Sequence, residues 1–124
     1  MNYKIGDRDF TVNPKGSIPT IMFKSNMSST HYHVQVETPA GWKMVVDQTG
    51  LGKAVPIQGG PIQSAANFPG KKFFWDITLA SLETDPIEAV LNVTIDQDGK
   101  NLLTVNDHHQ ITGQESYYEY LNSR

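Results

Sequence analysis

Residues 30–37 read THYHVQVE, so His31 and His33 stand one residue apart, with Gln35 and Glu37 continuing the same alternate row. Two imidazoles and a carboxylate form a donor set for a divalent cation, because mixed nitrogen and oxygen ligands suit iron, zinc, nickel or manganese. The remaining two histidines are adjacent, in Asp107-His108-His109. If the two segments met in space, His108 could join His31, His33 and Glu37 in a site of three or four ligands. If they do not meet, each is an exposed polar patch.

Nucleophilic chemistry finds no support. There is no cysteine, hence no thiolate and no disulfide. No Gly-x-Ser-x-Gly turn occurs, and Gly50-Leu51-Gly52-Lys53 is too short for a phosphate-binding loop. The carboxylate pairs Asp7/Asp9 and Asp96/Asp98 lie at a terminus and a turn, where solvated charge is ordinary. No enzyme activity is expected from these residues.

The aromatic residues point to binding instead. Phe73, Phe74 and Trp75 are consecutive, so a strand there shows rings on both faces. Phe73, Trp75 and Ile77 form the core side, leaving Phe74 on the polar side with Lys72, Asp76 and Thr78. Tyr117, Tyr118 and Tyr120 cannot all point inward, and Trp42 follows a Pro-Ala-Gly turn at a strand start. Tyr and Trp offer a flat apolar body with a polar tip, suited to stacking on sugars or sitting at a membrane interface. The candidate ligand-binding residues are therefore Trp42, Phe74, Tyr118 and Tyr120, with His31 and His33 beside them.

Strand-like runs recur between turn formers and must position these side chains. They cover 9–13, 18–25, 30–37, 42–47, 53–57, 72–79, 88–96, 101–106 and 115–121. Nine isoleucines and nine valines against seven leucines favour pleated sheet, because branching at Cβ packs well on strands. The fold class expected is all-β, an antiparallel, jelly-roll-like sandwich of about eight or nine strands, with a small barrel as the alternative. In THYHVQVE the period of two sends Tyr32, Val34 and Val36 to the core and His31, His33, Gln35 and Glu37 to the other face. In a sandwich that face meets solvent or ligand; only in a barrel of opposite polarity does it become an interior suited to metal. Asp98-Gly99 predicts a tight hairpin turn rather than a calcium loop, since no glutamate stands at the required downstream position. Asp107-His108-His109 is expected at the end of the strand before it. The stretch 49–70 holds five of the ten glycines and three of the seven prolines, and reads as a long loop with one edge strand around Pro56.

The 124 residues suit one domain spanning 1–124. Ten basic against thirteen acidic residues give a net charge of −3, without the basic footprint of a nucleic-acid binder. No apolar run is long enough for a transmembrane helix, and MNYKIGDRDF lacks the apolar segment of a signal peptide. Cytoplasmic residence or non-classical secretion is therefore expected.

Two resemblances bear on function. His31-x-His33-x3-Glu37 resembles the ligand core of the first cupin motif, which implies a divalent metal held from one strand; Ser25 stands where that motif has its glycine. The short all-β format is similar in general terms to microbial lectins and to lipid-binding toxin components such as aegerolysins. Phe73-Phe74-Trp75-Asp76 resembles an aromatic-Trp-Asp stretch of the latter. The leading expectation is a non-enzymatic binding module for a glycan or membrane lipid, without a cofactor. The alternatives are a cupin-like metal enzyme and an interaction subunit that meets a protein partner, or assembles into homo-oligomers, through sheet faces or edges.

Overall fold

Nine strands and one turn of 3₁₀ helix make up the computed structural model, which describes residues 2–124 and all their side chains except those of Asn2, Ser29 and Thr30. The strands are β1 (Asn2–Phe10), β2 (Thr20–Ser25), β3 (Ser28–Thr38), β4 (Gly41–Gln48), β5 (Val55–Pro56), β6 (Lys72–Ala80), β7 (Ile87–Gln97), β8 (Lys100–Ile111) and β9 (Gln114–Ser123). They form a five-stranded sheet in the order β1-β9-β6-β3-β4 and a four-stranded sheet in the order β5-β2-β7-β8. Among the described residues there is no α-helix and no closed barrel; the fold is an all-β sandwich. All pairings are antiparallel but one, β1 running parallel to β9.

Alternation along each strand builds the layers. In β6, Phe73, Trp75, Ile77 and Leu79 are buried while the residues between them face outward. Tyr32, Val34 and Val36 of β3 and Tyr117 and Leu121 of β9 extend the same inner surface. From the opposite sheet, Ile21 and Phe23 of β2 and Leu91, Val93 and Ile95 of β7 close on it. One buried apolar cluster draws on both sheets. Each such side chain contributes roughly 1.5–3 kcal/mol by leaving water. Trp75 lies at the centre, edge-on to Phe23 with ring centroids 5.4 Å apart.

The turns obey local chemistry. Asp98 and Gly99 both have positive φ, 51° and 76°, as a two-residue hairpin turn between right-twisted strands requires. At the β3–β4 turn, Thr38 Oγ1 accepts from Ala40 N and donates to the Gly41 carbonyl at 2.7 Å. Pro56 sits in β5, an edge strand, where its missing N–H breaks no central ladder.

Two strands exceed their expected limits by five residues or more, and β1 also ends at Phe10, short of the expected residue 13. β1 begins at Asn2, well before residue 9, and β8 continues through Asp107-His108-His109 to Ile111. The second histidine pair therefore lies within a strand and not at its end. Full-length pairing with β7, from Gln97↔Lys100 to Ile87↔Ile111, supplies the backbone hydrogen bonds that carry β8 through those polar residues.

A bulge in β4 decides which of its side chains reach the outer face. Val34 pairs with Val46 but Gln35 pairs with Met44, so Val45 is an extra residue, and both valines are buried. The insertion switches the parity of the strand. Trp42, Met44 and Asp47 consequently project from the same outer face, although strict alternation would turn Asp47 inward.

Candidate functional site

The outer face of the five-stranded sheet gathers Trp42, Phe74, Tyr118 and Tyr120 into one group. Phe74 and Tyr120 are directly opposed across β6 and β9, with ring centroids 5.1 Å apart. Tyr118 approaches Phe74 at 5.8 Å and meets Tyr120 edge-on at 6.0 Å. The Trp42 ring leans from β4 across β3 to lie 5.9 Å from Phe74 and 6.1 Å from Tyr120. Every other Phe, Tyr and Trp of the chain is buried in the core or packed against it. Trp42 and neighbouring Met44 are two of the exposed large apolar side chains, at 38% and 46%.

Charged groups frame the rings. Lys4 and Lys72 place their ammonium groups 5.4 and 5.0 Å from the Tyr120 ring centroid, within cation–π range. Lys4 also pairs with Asp7 at 2.9 Å, a hydrogen bond that raises its pKa and keeps it charged. Glu37 lies opposite Trp42 in the β3–β4 ladder, and Gln35 lies opposite Phe74 across β3 and β6.

Further along the same face, His31 and His33 stack with ring centroids 4.7 Å apart and 26° between planes. His31 Nε2 contacts Asp47 Oδ1, and His33 Nε2 lies 3.5 Å from that oxygen. The other nitrogen of His33, Nδ1, lies 3.2 Å from Asp76 Oδ1. Cross-strand pairing causes this, since His33 is opposite Asp47 in one ladder and opposite Asp76 in the other. One ligand atom each from His31, His33 and Asp47 falls within a mutual 4.8 Å.

The remaining candidates lie elsewhere. Glu37 is four residues from His33 on the same strand, about 13 Å at strand rise, and does not join the histidines. His108 projects from the outer face of the four-stranded sheet, with Nδ1 3.3 Å from Glu88. His109, next to it, turns the other way and stacks on Tyr3 at 4.6 Å, 3.4 Å from Glu115. The two histidine pairs are thus on different sheets and do not meet. The row His31, His33, Gln35, Glu37 faces outward on an open sandwich, so the barrel interior that the cupin resemblance implies is not formed.

Beneath the ring cluster, β9 carries a buried carboxylate. Glu119 is inaccessible to solvent; it accepts from Trp75 Nε1 at 3.2 Å and from Arg8 Nε at 2.7 Å. Burial pushes its pKa up, and the bonds from Arg8 and Trp75 oppose that rise. This group anchors β1 to the floor under the rings and does not reach the outer face.

Asp47 and Asp76 are the site residues that sequence alone does not select. Asp76 is visible as a polar-face neighbour of Phe74, but its pairing with His33 depends on strand order. Asp47 requires knowledge of the bulge. No family model, curated protein or solved structure matches this chain.

Proposed function

We propose that the outer face of the five-stranded sheet is a glycan-binding surface and that the protein is a binding module without catalytic activity. One observation carries this reading: all four rings that the core does not use, Trp42, Phe74, Tyr118 and Tyr120, lie in contact on one sheet face. Burying or half-burying rings on an exposed face stabilises the fold less than placing them in the core, so their collection there favours a binding role. A sugar ring stacks its C–H face on such a surface, while Gln35, Glu37, Lys72 and Asp7 around it supply donors and acceptors for hydroxyls.

Charge favours a neutral glycan over a lipid surface. The face carries Asp7, Asp9, Glu37, Asp47 and Asp76 against Lys4, Lys72 and Arg124, the last paired with Asp9. Anionic membranes attract clustered Lys and Arg, by about 1 kcal/mol per residue, and this face has the opposite balance. The experiment is a neutral-glycan array probed with the full chain, followed by calorimetric titration of the strongest ligand. Binding that weakens at least tenfold in Trp42→Ala supports the reading. A blank array, or binding only to vesicles of zwitterionic or anionic lipid, overturns it.

A further inference from the structure

We infer that His31, His33 and Asp47 form a binding site for one divalent transition cation of the zinc, cobalt, nickel and copper group. Its three ligands are none of the four rings, and the assignment does not rest on glycan recognition.

The donor chemistry selects the cation class. Two imidazole nitrogens with one carboxylate suit late first-row metals, whereas calcium and magnesium take oxygen ligands almost throughout. The convergence selects the position. The Nε2 atoms of both stacked rings turn toward a single carboxylate oxygen, Asp47 Oδ1, and the three ligand atoms lie within 4.8 Å of one another. With metal–ligand bonds of 2.0–2.1 Å, tetrahedral geometry separates ligand atoms by roughly 3.3 Å. The distance from His33 Nε2 to Asp47 Oδ1, 3.5 Å, already matches. His31 and Asp47 touch directly, and both are exposed, so a rotation of either side chain opens the gap.

The surroundings supply what a working ligand set needs. His33 Nδ1 lies 3.2 Å from Asp76 Oδ1; a carboxylate there holds the proton on Nδ1, and in that tautomer Nε2 is the unprotonated, ligating nitrogen. A surface ion pair between one histidine and one aspartate needs none of this: not a second imidazole stacked on the first, nor a second carboxylate on its far nitrogen. Backbone architecture fixes all four groups. His31 and His33 alternate on β3, Asp76 comes from β6 on one side, and the Val45 bulge brings Asp47 to the correct face of β4 on the other. Three protein ligands leave the fourth position open to water or to a donor atom of a ligand.

The test uses the full chain, stripped with chelator and titrated with Zn²⁺ by calorimetry and with Co²⁺ by visible absorption. The expected result is one equivalent bound, with Co²⁺ bands of a four-coordinate site. Affinity should fall at least 100-fold in His33→Ala and at least tenfold in Asp47→Asn, each still showing the parental thermal transition. Asp76→Asn should weaken binding by about 10-fold through loss of the orienting carboxylate. His108→Ala should bind as the parent does. If His33→Ala fails to fold, Asp47→Asn carries the test, because Asp47 is an exposed side chain. No stoichiometric uptake by the parent chain, uptake that survives Asp47→Asn unchanged, or loss of uptake in His108→Ala overturns the assignment.

Discussion

The outer face of the four-stranded sheet presents Asn92 and Thr94 of β7 opposite Asn106 and Thr104 of β8, with Val90 opposite His108 further along. No Phe, Tyr or Trp projects from it among the described residues, and Asn92 donates to Asn106 in a short cross-strand ladder. The outer face of the five-stranded sheet has four rings in contact and two stacked imidazoles between carboxylates. Both faces belong to one sandwich, are laid over the same core and meet the same solvent. Folding asks only that such a face be wet and β-compatible, which the Asn/Thr ladder satisfies. What the ring-bearing face carries beyond that is more than a wet, β-compatible surface needs.

The largest effect should come from deleting that excess. Phe74→Ala with Tyr120→Ala should lower affinity for the array-selected glycan by about 100-fold or more, since central rings of an interface are worth about 2 kcal/mol or more each. Thr94→Ala with Asn106→Ala, on the opposite face, should change it less than about 2-fold. Calorimetric titration of both double variants measures the contrast, and equal losses would erase the distinction between the faces.

Next in size is the bulge. Deleting Val45 removes the extra residue and leaves a regular β3–β4 ladder, in which Trp42 and Asp47 stand four positions apart and keep the same outer face, while a buried valine is lost. The variant should lose roughly 2 kcal/mol in denaturant unfolding, at the upper range of ordinary substitutions. It should keep Zn²⁺ uptake, since Asp47 still lies opposite His33 on the outer face. A deletion variant that folds but loses Zn²⁺ uptake shows that the face of Asp47 is not set by the parity of β4.

A smaller, pH-dependent effect separates the layers beneath the two faces. The four-stranded sheet buries a neutral group, Gln97, which bonds Asn13 and Ser17, whereas the five-stranded sheet buries Glu119. Burial holds the Glu119 carboxyl above its ordinary 4.5, against the pull of Arg8 and Trp75. The folded chain keeps this proton at pH values where the unfolded chain has released it. Its contribution to stability is therefore complete below 4.5 and is lost as pH rises through the folded value. Asp9 and Asp98 act in the opposite direction and lower down, because Arg124 and Ser17 hold them below the usual 3.8. Thermal melts of the parent and Glu119→Gln from pH 4 upward should show a stability that declines as pH rises from 4.5 in the parent and not in the variant; parallel curves would remove Glu119 as its source.

Whether a feature is legible in the sequence depends on whether it is local. The alternation of THYHVQVE shows which face His31 and His33 share, and KFFWDITL separates Phe74 from Phe73 and Trp75, because a period of two is a property of neighbours in sequence. Pro56 at an edge and the Asp98-Gly99 turn are explained by φ restriction and a missing donor. Asp47 is out of reach because a bulge is set by pairing with β3, and nothing in Lys43-Met44-Val45-Val46 marks which valine is extra. The early start of β1 is hidden for a related reason. Its own irregularity between Lys4 and Gly6 breaks the alternation, and as an edge strand it buries too little to print a pattern. That Trp42, Phe74 and Tyr120 touch depends on the order β9-β6-β3-β4, which no single segment encodes.

The smallest predicted effect sharpens the comparison within the ring-bearing face itself. Lys72 stands over the Tyr120 ring at 5.0 Å and pairs in register with Asn122, not with a carboxylate. Its attraction is to the ring, and at an exposed position that is worth about 0.5–1 kcal/mol. Lys72→Met keeps the alkyl cover over Tyr120 and removes only the charge, so unfolding stability should drop by about 0.5 kcal/mol in low salt. Lys24→Met on β2 of the other sheet, where the ladder partner is Asn92 and no ring lies beneath, should leave stability within error. Equal responses would mean that the ammonium groups of the ring-bearing face are ordinary surface charge. A response confined to Lys72 ties its charge to the Tyr120 ring, so that the ammonium belongs to the ring cluster and not to the general surface charge of the sandwich.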